Sequence, residues 1–364
     1  MSLESRKVGR MTWTCAAITN GLTIYSDGTI APCCIIDNSY RKSVDQIPHD
    51  PFADINTGLP PDVCSRCHQS EQSGRPSYRQ SFNSRRIESY GLQFLDVRNS
   101  NLCNARCRTC GPYNSSQWAQ ELEHTVPIVK NDFWPYVDHI ITPSLRYVYY
   151  TGGEPLINGE HWQFLETLIE QGISKNVSLQ YNSNLGTLKY KDKDLVEIWS
   201  HFKTVDIIAS IDAVGNKFNY LRSGLDWETV DQNLSRLIDT PYVKVTIGTT
   251  VSILNLWFIS ELLDYYQHRC RVQLTELFFP DYLSLTSIPD ELKDQALHCL
   301  DDIESRYNDK NQIEFYRQQV RQNHTQNLFI ETLNHVLFLD RQRKENLFDY
   351  LPFADIARQR IFYE

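Results

Sequence analysis

Between residues 92 and 279 the chain repeats one pattern about six times: a short apolar run, a polar tip, then a helix-like stretch. The runs fall at residues 92–98, 144–150, 177–181, 205–209, 243–251 and 272–279. Helical periodicity fills the intervals at residues 115–123, 161–171, 227–238 and 256–266. Strand–helix alternation of this kind predicts an α/β fold, because consecutive parallel strands need a crossover and a helix is the usual one. Polar residues gather where the strands end. In β/α barrels, that is the edge where ligands are held.

The first of these tips carries the chemistry. Cys103, Cys107 and Cys110 form a C-x3-C-x2-C pattern on a tight loop between strand and helix. Three soft thiolates on one loop can hold three corners of an iron–sulfur cluster and leave the fourth iron without a protein ligand. A structural zinc site would need a fourth ligand close by and would be closed. The second tip reads Thr151-Gly152-Gly153-Glu154-Pro155, whose glycines let backbone approach a ligand without a Cβ in the way.

These two elements, in this order after two strands, resemble the radical S-adenosylmethionine (radical SAM) superfamily over roughly residues 90–285. The resemblance implies a partial, six-unit TIM-like (β/α)6 barrel. It also implies a 4Fe–4S cluster on Cys103, Cys107 and Cys110 whose open iron binds the amino and carboxylate groups of SAM. In the family, the reduced cluster cleaves SAM to methionine and a 5′-deoxyadenosyl radical, which takes a hydrogen from the substrate. Carried onto this chain, Gly152, Gly153 and Glu154 match the element that meets the SAM ammonium. Ser183, Asn184, Ser210 and Asp212 stand where relatives contact SAM ribose or carboxylate, and Arg222 stands where an arginine pairs with the carboxylate. Each of these also reads as an ordinary strand-end or capping residue. Thr109 replaces the aromatic that many members carry before the last cysteine, so adenine contacts are expected from backbone near Val251. An external electron donor such as flavodoxin or ferredoxin is implied as well.

A second cysteine set precedes the barrel. Asp27-Gly28 between apolar runs signals a hairpin, with Cys15 before it, Cys33 at its exit, and Cys64-Ser65-Arg66-Cys67 further on. Four thiolates aimed inward make a closed site, and on spacing alone zinc competes with a cluster. The set resembles the twitch module, a shortened relative of SPASM that carries an auxiliary 4Fe–4S cluster, although here it precedes the core. Cys34 reads as a small buried residue, with ligation as its alternative. Arg75, Arg79, Arg85 and Arg86 mark either a solvated helix face or an anion-binding edge.

The organisation expected is an auxiliary cluster module at 1–90, the barrel at 91–288, and a helical C-terminal extension at 289–364. The extension is expected to pack over the open side of the barrel or to continue its helical layer. Seven of ten cysteines fall in motif-like spacings, and residues 1–7 lack an apolar signal core, so ligation in a reducing cytoplasm explains them better than disulfides. Cys270 and Cys299 remain as buried structural cysteines, with a radical-quenching hydrogen donor as the alternative reading. No run is long and apolar enough to span a membrane. A net charge of −9 argues against an extended nucleic-acid footprint.

Oxidation or epimerisation of a small polar metabolite, such as a sugar or nucleotide, is the expected reaction, with the auxiliary cluster as electron relay. Radical modification of a peptide or protein is the alternative. A zinc-stapled binding protein without catalysis is a third reading, and an RNA modifier a fourth that must overcome the acidic charge.

Overall fold

The computed structural model describes residues 13–49, 52, 61–74, 76–85, 91–122, 132–322, 327–351 and 356. Its strands are β1 (Gly21–Tyr25), β2 (Thr29–Ala31), β3 (Lys42–Ser43), β4 (Phe94–Arg98), β5 (Tyr147–Tyr150) and β6 (Ser178–Ser183). They continue with β7 (Lys189–Tyr190), β8 (Lys193–Asp194), β9 (Thr204–Ser210), β10 (Val243–Val251) and β11 (Arg271–Glu276). Nine of them form one sheet in the order β11-β10-β9-β6-β5-β4-β1-β2-β3, while β7 and β8 pair separately. Every contact from β11 through to β1 is parallel, so the expected parallel α/β sheet is present.

The parallel run holds seven strands rather than six. The extra one is β1, the first arm of the Asp-Gly hairpin, which pairs with β4 from Gly21↔Phe94 to Tyr25↔Arg98. The turn is built as its residues demand: Gly28 takes φ +84°, and the Thr29 amide donates to Asp27 Oδ1 at 3.0 Å. The N-terminal segment is thus hydrogen bonded edge-on to the sheet that carries the cysteine loop.

Strand alternation gives the sheet two different faces. On one, Leu95, Val97, Val148, Leu179, Val205 and Ile207 are almost fully buried against the crossover helices. The helix Trp227–Ile238 shows why these form: Asp226 caps it by accepting from the Thr229 amide, and Val230, Leu234 and Leu237 recur on its buried side. On the other face, Asp96, Arg98, Tyr149, Gln180, Asn182 and Asp206 line a cavity of about 510 Å³. Each of the seven parallel strands contributes to that cavity, and its far wall comes from the N-terminal segment through Cys34, Tyr78, Phe82 and Arg85.

A second apolar core lies at the β11 end. The helices Asp290–Glu304, Lys310–Arg321 and Asn327–Arg343 bury Leu292, Leu300, Ile313, Tyr316, Leu333 and Val336 against Ile253, Leu254 and Leu285. No helix among the described residues is long and apolar enough to cross a membrane.

Candidate active site

The cysteine loop leaves β4 and is held from three sides. The glycine–glutamate tip after β5 binds it through backbone: Gly153 N–H donates to Ser100 O at 3.0 Å, and Glu154 N–H to Leu102 O at 2.7 Å. A Cβ on Gly153 would stand 2.2 Å from Leu102 O, and Gly152 takes φ +109°. In this structure, then, the glycines give room to the cysteine loop itself. From the second side, Trp118 Nε1–H donates to Cys107 O at 2.8 Å and Cys103 N–H to Ser116 Oγ at 3.1 Å. From the third, Arg106 and Arg108 amides donate to Ser223 O and Leu221 O at 2.7 and 2.8 Å.

The three thiols are thereby fixed half-buried on one loop. Burial, then the neighbouring Cys107, pushes the Cys103 thiol up to about 12 and Cys110 up to about 11. Cys107 is raised by burial too, while Arg222, with Nη1 3.7 Å from its Sγ, pulls the other way. Without a cation these sulfurs keep their protons; a bound metal would displace them. Three soft, half-buried donors, with no fourth thiol alongside among the described residues, suit three corners of a 4Fe–4S cluster. Among the described residues, no group of three or more histidine, cysteine or acidic side chains is gathered as a single bound metal ion would gather them.

Glu154 ties three strand ends together. Its Oε1 accepts from Leu156 N–H at 3.1 Å and Ser183 Oγ at 2.9 Å, and its Oε2 accepts from Asn184 N–H at 2.7 Å. Burial pushes its carboxyl up to about 7 against those three donors. Asn184 Nδ2 continues to Asn104 Oδ1 in the cysteine loop at 2.8 Å. After β9, Asp212 pairs with Arg222 at 2.8 Å and accepts from the Thr250 amide at 3.0 Å. Arg222 keeps one buried N–H, at Nε, with no partner among the described residues. The C-terminal strand edge thus joins the cysteine loop, Glu154, Ser183, Asn184, Asp212 and Arg222 into one contact network. Ser210 stands at the cavity below it. Val251 is at the same edge, but its side chain is buried in the second core and its carbonyl accepts from Leu277 at 3.2 Å.

Cys15, Cys33, Cys64 and Cys67 all line one small cavity, with Trp13, Arg79, Tyr78 and Phe82. Burial first, then neighbouring thiols, pushes Cys33 up to about 12 and Cys64 up to about 11. Cys34 turns the other way, into the large cavity, where its thiol meets the Asp96 carboxylate. Tyr78 and Phe82 line both cavities and form their common wall. Of the arginines in this region, Arg79 is paired with Glu71 at 2.9 and 2.6 Å, Arg85 lines the large cavity, and Arg75 and Arg86 lie outside the described residues.

One residue of the site escaped the sequence reading. Arg108, between the second and third cysteines, is fully buried. Its Nη2 lies 2.5 Å from both Asp340 and Glu345, its Nε donates to Tyr220 O at 2.9 Å, and its guanidinium stacks 3.7 Å from the Tyr220 ring. His335 Nε2 meets Arg108 O at 3.0 Å, and Arg343 pairs with Glu121 at 2.8 Å. The helix Asn327–Arg343 therefore clamps the cysteine loop. A charged residue inside a cysteine motif was the available signal.

No protein-family model matches the chain. Among curated proteins it is similar to the GTP 3′,8-cyclase of Campylobacter lari, 26% identical over 111 residues, which are 30% of this chain and 33% of that protein. It is also similar to the GTP 3′,8-cyclase of Pasteurella multocida, 23% identical over 159 residues, 43% of this chain and 44% of that one. The chain thus spans less than half the length of these curated relatives. Among solved structures, Streptococcus suis SuiB bound to S-adenosylmethionine is 15% identical over 78% of this chain and 69% of its own, with a TM-score of 0.38. SuiB bound to its precursor peptide SuiA is 18% identical over 60% and 47%, also at 0.38. Superposition this loose decides nothing about the reaction.

Proposed function

We propose that this chain is a radical SAM enzyme, one that cleaves SAM reductively and removes a hydrogen from a small polar metabolite. The observation that carries the reading is the cysteine loop: three half-buried thiols on one loop, laced by backbone hydrogen bonds to the Gly152-Gly153-Glu154 tip. Cys103, Cys107 and Cys110 would hold the 4Fe–4S cluster. When bound, that cluster supplies the electron that splits SAM, and the resulting radical chemistry acts on an unactivated C–H bond.

The chain's own groups set the stage. Glu154, held by Ser183 and Asn184, puts a carboxyl at the edge where a cationic amino group would dock. Arg222 is positioned by Asp212 and retains a buried Nε–H as donor for a carboxylate. Trp118 and the clamp through Arg108 are buried against the loop's inner side. We read the seven parallel strands as the wall of a partial barrel, since each lines the same cavity. That cavity is the substrate chamber in this reading. The polar groups in its mixed lining and the curated relatives, named as GTP cyclases, favour a nucleotide- or sugar-like metabolite.

Cys15, Cys33, Cys64 and Cys67 would hold the auxiliary 4Fe–4S cluster. The shared wall of Tyr78 and Phe82 sets that cavity beside the chamber, which suits an electron relay to or from substrate. A flavodoxin- or ferredoxin-like donor would supply electrons. The test is anaerobic reconstitution followed by incubation of reduced enzyme with SAM and fractionated cell extract. A small-molecule fraction that raises 5′-deoxyadenosine output supports the reading. Stimulation only by peptide fractions would turn it to peptide modification.

A further inference from the structure

We propose that Arg85 is the docking point for an anionic group of the substrate, phosphate or carboxylate, at the end of the inner cavity opposite the cysteine loop. The inference rests on the chamber reading above. Arg85 follows the helix Tyr78–Asn83, and its guanidinium lies over the rings of Phe82, Phe94 and Tyr147 at 5.1, 5.2 and 5.1 Å. Phe94 and Tyr147 are the first residues of β4 and β5, whereas the cysteine loop and the Gly152-Gly153-Glu154 tip follow their last. Arg85 therefore marks the far end.

What singles it out is charge. Arg98, the other arginine lining the chamber, is neutralised by Asp96 through two bonds of 2.9 Å, and Arg79 nearby is neutralised by Glu71. The Arg85 guanidinium is partly buried, yet among the described residues no carboxylate or hydrogen-bond acceptor meets it. Three aromatic faces hold it by cation–π attraction but leave its planar edge of N–H donors unused. A half-buried cation gives up part of its hydration, and an anionic ligand group offsets that loss with charge-assisted, bidentate hydrogen bonds.

A second unmet group fixes the direction in which the ligand lies. The amide oxygen of Asn182, near the end of β6, is buried without a partner among the described residues, and Asn182 lines the same cavity. It accepts a donor from the ligand at the cysteine end. Asp206, two strands beyond β5, is the other carboxylate lining the chamber besides Asp96 and suits a hydroxyl or amino group in between. At about 3.3 Å per residue, the strands separate the two ends of the chamber by about 13 Å. A volume of about 510 Å³ is that of a small-molecule site. The substrate class is an elongated polar molecule with one anionic end, its reacting carbon toward the strand C-termini.

The test titrates inorganic pyrophosphate into the reconstituted full-length protein by calorimetry, with succinate in a parallel arm. The wild type is expected to bind one of them, which tells phosphate from carboxylate. Arg85→Gln is expected to weaken that affinity at least tenfold, Arg85→Lys to weaken it less, and the exposed Arg321→Gln not at all. A separate readout on the wild type guards against misfolding: phenylglyoxal labelling of Arg85, mapped by peptide mass spectrometry, should slow when pyrophosphate or succinate is bound. Equal affinity in Arg85→Gln, no binding of either anion by the wild type, or labelling indifferent to them would overturn the assignment. Iron content and SAM binding of the same wild-type preparation report separately on the superfamily reading.

Discussion

Arg108 and Asp340 are 232 positions apart in the chain, yet Nη2 of one lies 2.5 Å from Oδ1 of the other. Asp340 also accepts from Tyr220 OH at 3.2 Å and from the Leu347 amide at 2.6 Å, so one buried carboxylate serves the cysteine loop, the segment after β9, and the C-terminal turn. Without Asp340, Arg108 keeps only Glu345 as a carboxylate partner, and the Leu347 amide and Tyr220 hydroxyl lose their acceptor. Asp340→Ala is therefore expected to destabilise the protein by about 1–3 kcal/mol. Urea unfolding checks this, and a midpoint equal to that of the wild type would contradict the clamp.

Gly153 carries the second prediction. A Cβ there would meet Leu102 O at 2.2 Å and Leu102 C at 2.7 Å, both backbone atoms that cannot rotate away. Gly153→Ala must push the cysteine loop off the tip after β5. The expected result is a loss of about 1–3 kcal/mol in stability and of the iron assigned above to Cys103, Cys107 and Cys110, with the iron assigned to the second thiol set retained. Full iron content in this variant would show that the close approach does not matter.

His161 gives the stability a pH dependence of known sign. It is fully buried beside Tyr181, whose hydroxyl lies 2.8 Å from Nε2, and burial pushes its pKa down to about 3 from an ordinary 6.5. The unfolded chain takes up a proton there below 6.5 and the native chain does not. Stability from this group is therefore full above 6.5 and is lost as pH falls toward 3. Between pH 7.5 and pH 5 the loss amounts to about 2 kcal/mol. Comparing urea midpoints of wild type and His161→Phe at the two pH values checks it; the variant should lack that increment.

The strands and helices from residue 92 onward were legible because each announces itself locally, through alternation, polar tips and caps such as Asp226. The pairing of β1 with β4 was not, since a parallel partner some seventy positions away leaves no mark on either segment. Cysteine spacing drew attention to both thiol sets, and the structure gathers Cys15, Cys33, Cys64 and Cys67 around one cavity. Arg222 can be singled out in the sequence, but its pairing with Asp212 cannot, because the two sit ten positions apart with a helix between them and nothing local marks them as facing each other. Arg85 looked like its neighbour Arg79 in sequence. Only the fold separates them, by giving one a carboxylate and the other three aromatic rings.

The central claim is that three thiols on one loop hold an open cluster that splits SAM. The most direct measurement is iron content and 5′-deoxyadenosine output of anaerobically reconstituted, reduced protein, wild type against the Cys103→Ala/Cys107→Ala/Cys110→Ala variant. About eight iron atoms per chain are expected in the wild type, about four in the variant, and no 5′-deoxyadenosine from the variant. A triple variant that keeps its full iron, or that still cleaves SAM, would contradict the assignment.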